Sequence, residues 1–419
     1  MKVLTLGWEF PPFFAGGVGI VCYELTKALA KRGTEVVYVM PFGPEEVKAE
    51  YVKLVVASRL KRYSNIKLKF LNTLLHAYIT SQSYDDRLKQ LANIIADEKD
   101  QTKALYGSNL FEEIHKFALR VRALAMIEDF DIIHAHDWTT FPAAVGAKHV
   151  SGKPLVVHVH ITQFDMVGGD GKINQMCYDV ERYGMHEADM IIAVSELIRQ
   201  RCIHQYGVPE HKIRVLHNAA STMEGPVYEG PIRIKEKDKI VLFAGRVTLQ
   251  KGPDYFVRAA RMVLDKDPNV KFVLAGSGDM LSRMIEMSAA MGMADKFIFP
   301  GFYTREQAAR LFDMADVFVM PSVSEPFGLV PLEAMQKGTP VIISRQSGVS
   351  EILRNALKVD FWDVQDIANK ILAVLQYQEL SHHLVQHGTM EVQALTWDKY
   401  AEKLERIYEE LMPLAKHHG

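Results

Sequence analysis

The chain has 419 residues, 48% of them hydrophobic and 24% charged, with a net charge of -2. That length exceeds what one hydrophobic core supports and predicts two domains of roughly 200 residues each. The composition excludes a disordered or fibrous chain, and a pI near 6.8 gives no global field to recruit nucleic acid.

In chain order, the opening apolar run Val3–Leu6 is too short for a signal peptide. No stretch approaches the ~20 apolar residues of a membrane span. Cys22, Cys177 and Cys202 have neither disulfide-framework nor zinc-site spacing and suit a reducing compartment. A cytoplasmic protein is therefore expected, with peripheral membrane contact left open. Val3–Leu6, Val36–Met40, Ile132–Ala135, Leu155–Val159 and Met190–Val194 read as buried strands separated by helical patterns, the signature of parallel βα units. Ile20–Lys31 is a clear helix, with Val21, Leu25, Ala28 and Leu29 on one face and Gly33 at its stop. A second series follows: Ile240–Phe243, Phe272–Ala275, Phe297–Phe299, Val317–Met320 and Val341–Ile343. Ser221–Lys239, rich in proline and glycine and without periodicity, is the predicted linker. Trp397–Leu414 is helical again, with Tyr400, Leu404, Ile407 and Leu411 on one stripe. The predicted fold is α/β: two doubly wound domains, with ligands in a cleft beyond the strands' carboxyl ends.

Two segments carry the chemistry. Ser324–Ala334 follows a strand and leads into a helix, with Pro331 suited to the first turn. Gly328 admits close backbone approach, and the amides opening the helix, around Phe327, Leu329 and Val330, favour a diphosphate. Glu325 and Glu333 flank that site as acceptors for sugar and ribose hydroxyls. In Ala244–Gly252, a loop bounded by Gly245 and Gly252, Arg246 offers a planar fork and Lys251 a point charge to one pyrophosphate. Charge neutralised there stabilises a departing nucleoside diphosphate.

With those residues in view, the chain resembles the GT-B retaining glycosyltransferases of family 4 and the neighbouring glycogen and starch synthases. Glu325 and Glu333 fit the family's E-x7-E motif, and Arg246 with Lys251 its R-x4-K. Ala275–Gly278, Pro300–Phe302 and Ser347–Glu351 fit its turns. The resemblance implies a UDP- or ADP-sugar donor held by residues 236–396, with Gly301 lining the base and no cofactor. Residues 1–225, completed by the C-terminal helix of 397–419, would form the acceptor side.

In the first half, Phe14–Gly19 lacks the third glycine of a dinucleotide fingerprint, and the second strand ends without an acidic residue, so an NAD site is not expected. The resemblance sets Gly16 and Gly17 against the donor diphosphate, and His160 against the donor sugar's 6-hydroxyl and the reaction centre. Strand-end packing is the plain alternative for His160 and the stronger reading for His158. These two share a face, yet no third ligand has convincing metal-site spacing. Asp131–Trp138 resembles the D-x-x-H-x-H-D-W run of glycogen synthases, which implies that Asp137 lies near the acceptor; a helix cap is the equal alternative. Asp129–Asp131 spells D-x-D but stands at a strand entrance and reads as loop, so no metal is expected. Phe14 stands where bacterial glycogen synthases carry lysine, which leaves the acceptor open. From Tyr51 to Tyr84 there is no acidic residue. Asn65–Phe70 there alternates like an edge strand, with a membrane or anionic-acceptor patch as the alternative.

The expected activity is hexosyl transfer, with glucose first, to a glucan-type acceptor with retention of configuration. Alternatives are a lipid or small-sugar acceptor, or a non-catalytic sugar-binding protein. Oligomeric state is not legible.

Overall fold

The structure, a computed structural model, describes residues 1–10, 17–41, 52–57, 110–167, 172–221, 223 and 238–412. Gly16, Phe14, Asn65–Phe70 and the inner part of the expected linker lie outside the described residues.

The first half runs β1 (Lys2–Leu6), α1 (Gly17–Lys31), β2 (Glu35–Met40), β3 (Lys53–Val56), α2 (Leu110–Ala125), β4 (Ile132–His136), α3 (Phe141–Ser151), β5 (Leu155–Val159), α4 (Gln163–Met166), α5 (Gln175–Glu187), β6 (Met190–Ala193), α6 (Glu196–His204) and β7 (Ile213–Val215). The second runs β8 (Lys239–Ala244), α7 (Pro253–Leu264), β9 (Val270–Ala275), α8 (Leu281–Ala290), β10 (Phe297–Gly301), α9 (Arg305–Met314), β11 (Val317–Met320), α10 (Val330–Gln336), β12 (Val341–Ser344), β13 (Leu357–Val359), α11 (Val364–Gln376), α12 (Gln378–Gln393) and α13 (Trp397–Leu411).

Among the described residues every strand pairing is parallel. The seven-stranded sheet has the order β3-β2-β1-β4-β5-β6-β7, the six-stranded sheet β10-β9-β8-β11-β12-β13. Helices cover both faces of such sheets, which is why β4, β5, β6, β11 and β12 are buried along their whole length and read as continuous apolar runs. In each sheet the strand order reverses once, between β1 and β4 and between β8 and β11. Loops leaving these strands line the crevices where α/β sheets bind ligands.

The helix α13 returns from the second series to the first sheet. Tyr400, Leu404, Ile407 and Leu411, the stripe anticipated from the sequence, are buried in one cluster with Val21, Leu25 and Leu29 of α1. Trp397 Nε1 donates to Ser221 Oγ at 3.1 Å, fixing the start of the helix. Among the described residues no helix is long and apolar enough to cross a membrane.

Candidate active site

The carboxyl end of β8 opens into Gly245–Arg246 and a single 3-10 turn, Leu249–Lys251. The neighbouring β11 opens into Pro321–Gly328. Backbone bonds lace the two loops together: the Gln250 carbonyl accepts from Val323 N at 2.9 Å and from Ser324 N at 3.4 Å. Lys251 Nζ is thereby paired with Glu325 Oε2, which also accepts from Ser322 Oγ at 3.3 Å. Arg246 Nη2 donates to Gln250 Oε1 at 3.1 Å. Both cations anticipated for a pyrophosphate thus stand at the loop that carries Glu325.

That loop is rigidly set. Glu325 N donates to the Gln346 carbonyl at 3.0 Å, and Gly348 N to the Glu325 carbonyl at 2.9 Å, an isolated parallel bridge. Gly328 holds φ at +104°, and a Cβ there would meet Glu325 Cγ at 3.2 Å and Val349 Cγ1 at 3.3 Å. Only glycine satisfies both conditions. After it, α10 begins with Pro331 in its first turn. Glu333 in the same turn has its carboxyl raised to about 6 by burial, with Arg305 pulling the other way. The turn after β9 closes the floor: a Cβ on Gly276 would lie 1.8 Å from the Gly245 carbonyl oxygen, and Gly276 N donates to the Gly301 carbonyl at 2.8 Å. Gly245 and Gly301 are therefore neighbours through Gly276, and Phe327 is buried beneath the loop.

From the first sheet, Gly17 approaches this ensemble directly, since a Cβ on it would touch Leu329 Cδ1 at 3.4 Å. His160, just past β5, contacts His136, the last residue of β4, with Nε2 2.9 Å from His136 Nδ1. Burial and the neighbouring His136 hold His160 well below the usual histidine range, so its ring is neutral. His158 is fully buried against Tyr400, with Nε2 3.2 Å from the phenol oxygen.

Asp137 does not cap the helix that follows. The N-cap of α3 is Thr140, and Asp137 Oδ1 instead accepts from His160 N at 2.8 Å and from Ile161 N at 3.3 Å. Its backbone has φ of 60°, the one non-glycine residue in that region among the described residues. Burial raises its carboxyl to about 7 against those two amides. Asp137 therefore sets the backbone that presents His160. Of the D-x-D residues, Asp131 ties the sheet together by accepting from Lys2 N at 2.7 Å.

Sequence reasoning missed the bonds joining the two halves beside the groove. Ser324 Oγ donates to Asp165 Oδ1 at 2.8 Å and accepts from Arg201 Nη2 at 3.0 Å, while Arg201 pairs with Asp165. Ser195 Oγ donates to the Pro326 carbonyl at 2.6 Å. Glu351 accepts from Glu196 N at 2.8 Å, Leu197 N at 3.0 Å and His217 Nε2 at 2.7 Å, so the second half supplies an acid to the start of α6. Ser195 Oγ also caps α6 by accepting from Ile198 N, and its Pro326 partner lies 131 residues away.

Two doubly wound domains with a cation-and-carboxylate groove at the switch point of the second define a glycosyltransferase of the GT-B architecture. The profile "Glycosyltransferase Family 4" matches residues 15–223, and "Glycosyl transferases group 1" matches residues 228–390. An uncharacterized glycosyltransferase of Methanocaldococcus jannaschii is 27% identical over 99% of both chains. A glycogen synthase of Mycobacterium tuberculosis is 24% identical over 89% of this chain and 85% of its own. In fold, the chain is similar to the sucrose-phosphate synthase of Thermosynechococcus elongatus (TM-score 0.75, 20% identity, 99% of each chain). It is also similar to Anabaena HepE in complex with UDP and glucose (TM-score 0.68, 18% identity, 98% of this chain and 100% of that one). The chain belongs to family 4 of the GT-B glycosyltransferases.

Proposed function

We propose that this glycosyltransferase moves a glucosyl group from UDP- or ADP-glucose to a glucan-type acceptor with retention of configuration and without a metal at the reacting centre. The observation that carries this reading is the Lys251–Glu325 pair, held in one groove with Arg246 by the laced loops of β8 and β11. A sugar-nucleotide pyrophosphate competes with Glu325 for Lys251, so donor binding exchanges one anionic partner for another. Arg246 and Lys251 then neutralise the charge that develops on the leaving diphosphate. Glu325, relieved of Lys251, accepts from sugar hydroxyls, and Glu333 accepts from the ribose. His160, a neutral imidazole, hydrogen-bonds the donor sugar, and Gly17 lets the first domain's backbone reach the phosphates beside Leu329 and Val330.

Of the first domain's acids, Asp137 is turned through Oδ1 to the His160 and Ile161 amides, and Asp165 is paired with Arg201 and Ser324. That favours attack by the acceptor hydroxyl from the face the diphosphate leaves, over a covalent intermediate on a carboxylate. The likeness to a glycogen synthase over most of both chains supports the glucan acceptor. The fold likeness to a sucrose-phosphate synthase keeps a small-sugar acceptor as the second reading. Incubation with UDP-glucose and ADP-glucose, each with maltooligosaccharides or small sugar phosphates, tests all of this. An α-linked glucan product by NMR is expected; a β linkage overturns retention, and no transfer from any nucleotide-glucose overturns the donor.

A further inference from the structure

The strands β4 and β5 place four histidines on one face of the first sheet: His134, His136, His158 and His160. His136 and His158 are register partners, and alternation turns all four toward α13. His134, His136 and His158 are at most 1% exposed. In each of these three, one ring nitrogen is held from outside. His134 Nδ1 lies 2.5 Å from the Tyr408 phenol oxygen, His158 Nε2 3.2 Å from that of Tyr400, and His136 Nδ1 2.9 Å from His160 Nε2. The remaining nitrogens, His134 Nε2, His136 Nε2 and His158 Nδ1, are fully buried and have no partner among the described residues. Thr5 Oγ1, on β1 in register with His134, is likewise unpartnered among them.

With each ring donating outward, to the Tyr408 and Tyr400 oxygens and to His160 Nε2, the three inward nitrogens are lone pairs, the tautomer a bound cation selects. These lone pairs lie in a buried space beside Thr5 Oγ1. One candidate ligand atom from each ring lies within 4.8 Å of the other two. Outward nitrogens tied to a hydroxyl or second ring, with inward nitrogens bare, is the arrangement that fixes histidine tautomers around bound metals. The sequence offered no third ligand near His158; the neighbouring strand supplies two.

We propose that His134, His136 and His158 bind a zinc ion, a structural site inside the first domain. An all-imidazole set with one open position suits a d10 ion of no fixed geometric preference, and a water hydrogen-bonded to Thr5 completes it. The ring planes of His134 and His158 lie 12° apart and those of His136 and His158 36° apart. Occupancy therefore turns the rings about Cβ–Cγ, a soft torsion, and draws the nitrogens to about 3.4 Å from one another, as bonds of about 2.0–2.1 Å require. The site adjoins the proposed reaction centre through the His136–His160 hydrogen bond, and metal content rather than transfer is the measure of it. The test is the metal content of untagged full-length protein, expressed once in zinc-supplemented and once in cobalt-supplemented medium. Stoichiometric zinc, and for the cobalt form the visible d–d absorption of a tetrahedral ion, are expected. Both should vanish in H134Q/H158Q while H383Q/H387Q, altering a surface histidine pair, retains them. Folded wild-type protein with no metal above background, or metal that persists in H134Q/H158Q, overturns the proposal; in the first case the trio surrounds water only.

Discussion

Lys251 and Glu325 leave the ends of two adjacent strands, β8 and β11, and meet as an ion pair inside the groove. The pair is largely screened from solvent, with side-chain exposures of 19% and 9%, so neither charge is idle. If Lys251 acts on the leaving diphosphate, K251A lowers kcat by about 10²–10³. E325Q also loses activity, and the double variant loses less than the two single effects combined, because the residues act as one unit. Steady-state kinetics on the three variants, with melting curves to establish folding, check this.

Glu333 gives a pH dependence. Its carboxyl, raised to about 6 by burial, is protonated below that value, which turns one of its two acceptor oxygens into a donor and weakens its hold on a hydroxyl. KM for the donor is expected to rise as pH falls through about 6, and E333Q should flatten this limb. A wild-type donor KM that stays constant from pH 5 to 8, a range spanning ~3 units around the shifted group, refutes the ribose role.

Glu351 carries the opposite sign. Burial would lift its carboxyl, but His217 and the Glu196 and Leu197 amides outweigh that and lower it from its ordinary 4.5. A depressed folded-state value contributes stability that is present above 4.5 and lost as pH falls through the lowered value. The melting temperature of the wild type should therefore fall more steeply in acid than that of E351Q, measured by scanning calorimetry.

Asp137 pairs an unusual backbone with a doubly used carboxylate. At φ of 60° asparagine is tolerated and alanine is not, at a cost of about 1–2 kcal/mol. The amide oxygen of an asparagine side chain can also accept from the two backbone N–H groups, so D137N should melt close to wild type. D137A should melt several degrees lower, because it loses both the bonds and the permitted backbone. Equal melting of the two variants contradicts this account.

The strands that the sequence did not disclose are β3, β7 and β13, and each is the outermost strand at one edge of a sheet. Three or four residues with one unpaired side are too few to show periodicity and too exposed to read as buried runs. The central strands were legible because burial on both faces makes them continuously apolar. Helix α1 starts at Gly17, earlier than its apolar stripe suggests, since glycines there read as breakers. Within the candidate site, Arg246, Lys251 and Glu325 were legible from their spacing in the loops that leave β8 and β11, and Glu333 from its place in the first turn of α10. The partners that hold them, such as Gln250 for Arg246 and Ser195 for Pro326, depend on loop packing and on the other domain, which no local pattern encodes. The contacts of Asp137 escape local patterning for the same reason, since its amides belong to the segment just past the next strand.

The return of α13 has a consequence for biosynthesis. Tyr400 and Tyr408 seal the histidine face of the first sheet, and they are made only after the entire second sheet has left the ribosome. The first half of the protein must therefore wait, with that face uncovered, until the second is complete, and its nascent form is a natural client for chaperones. Dissecting the enzyme at the linker would strand the first half in that unfinished condition.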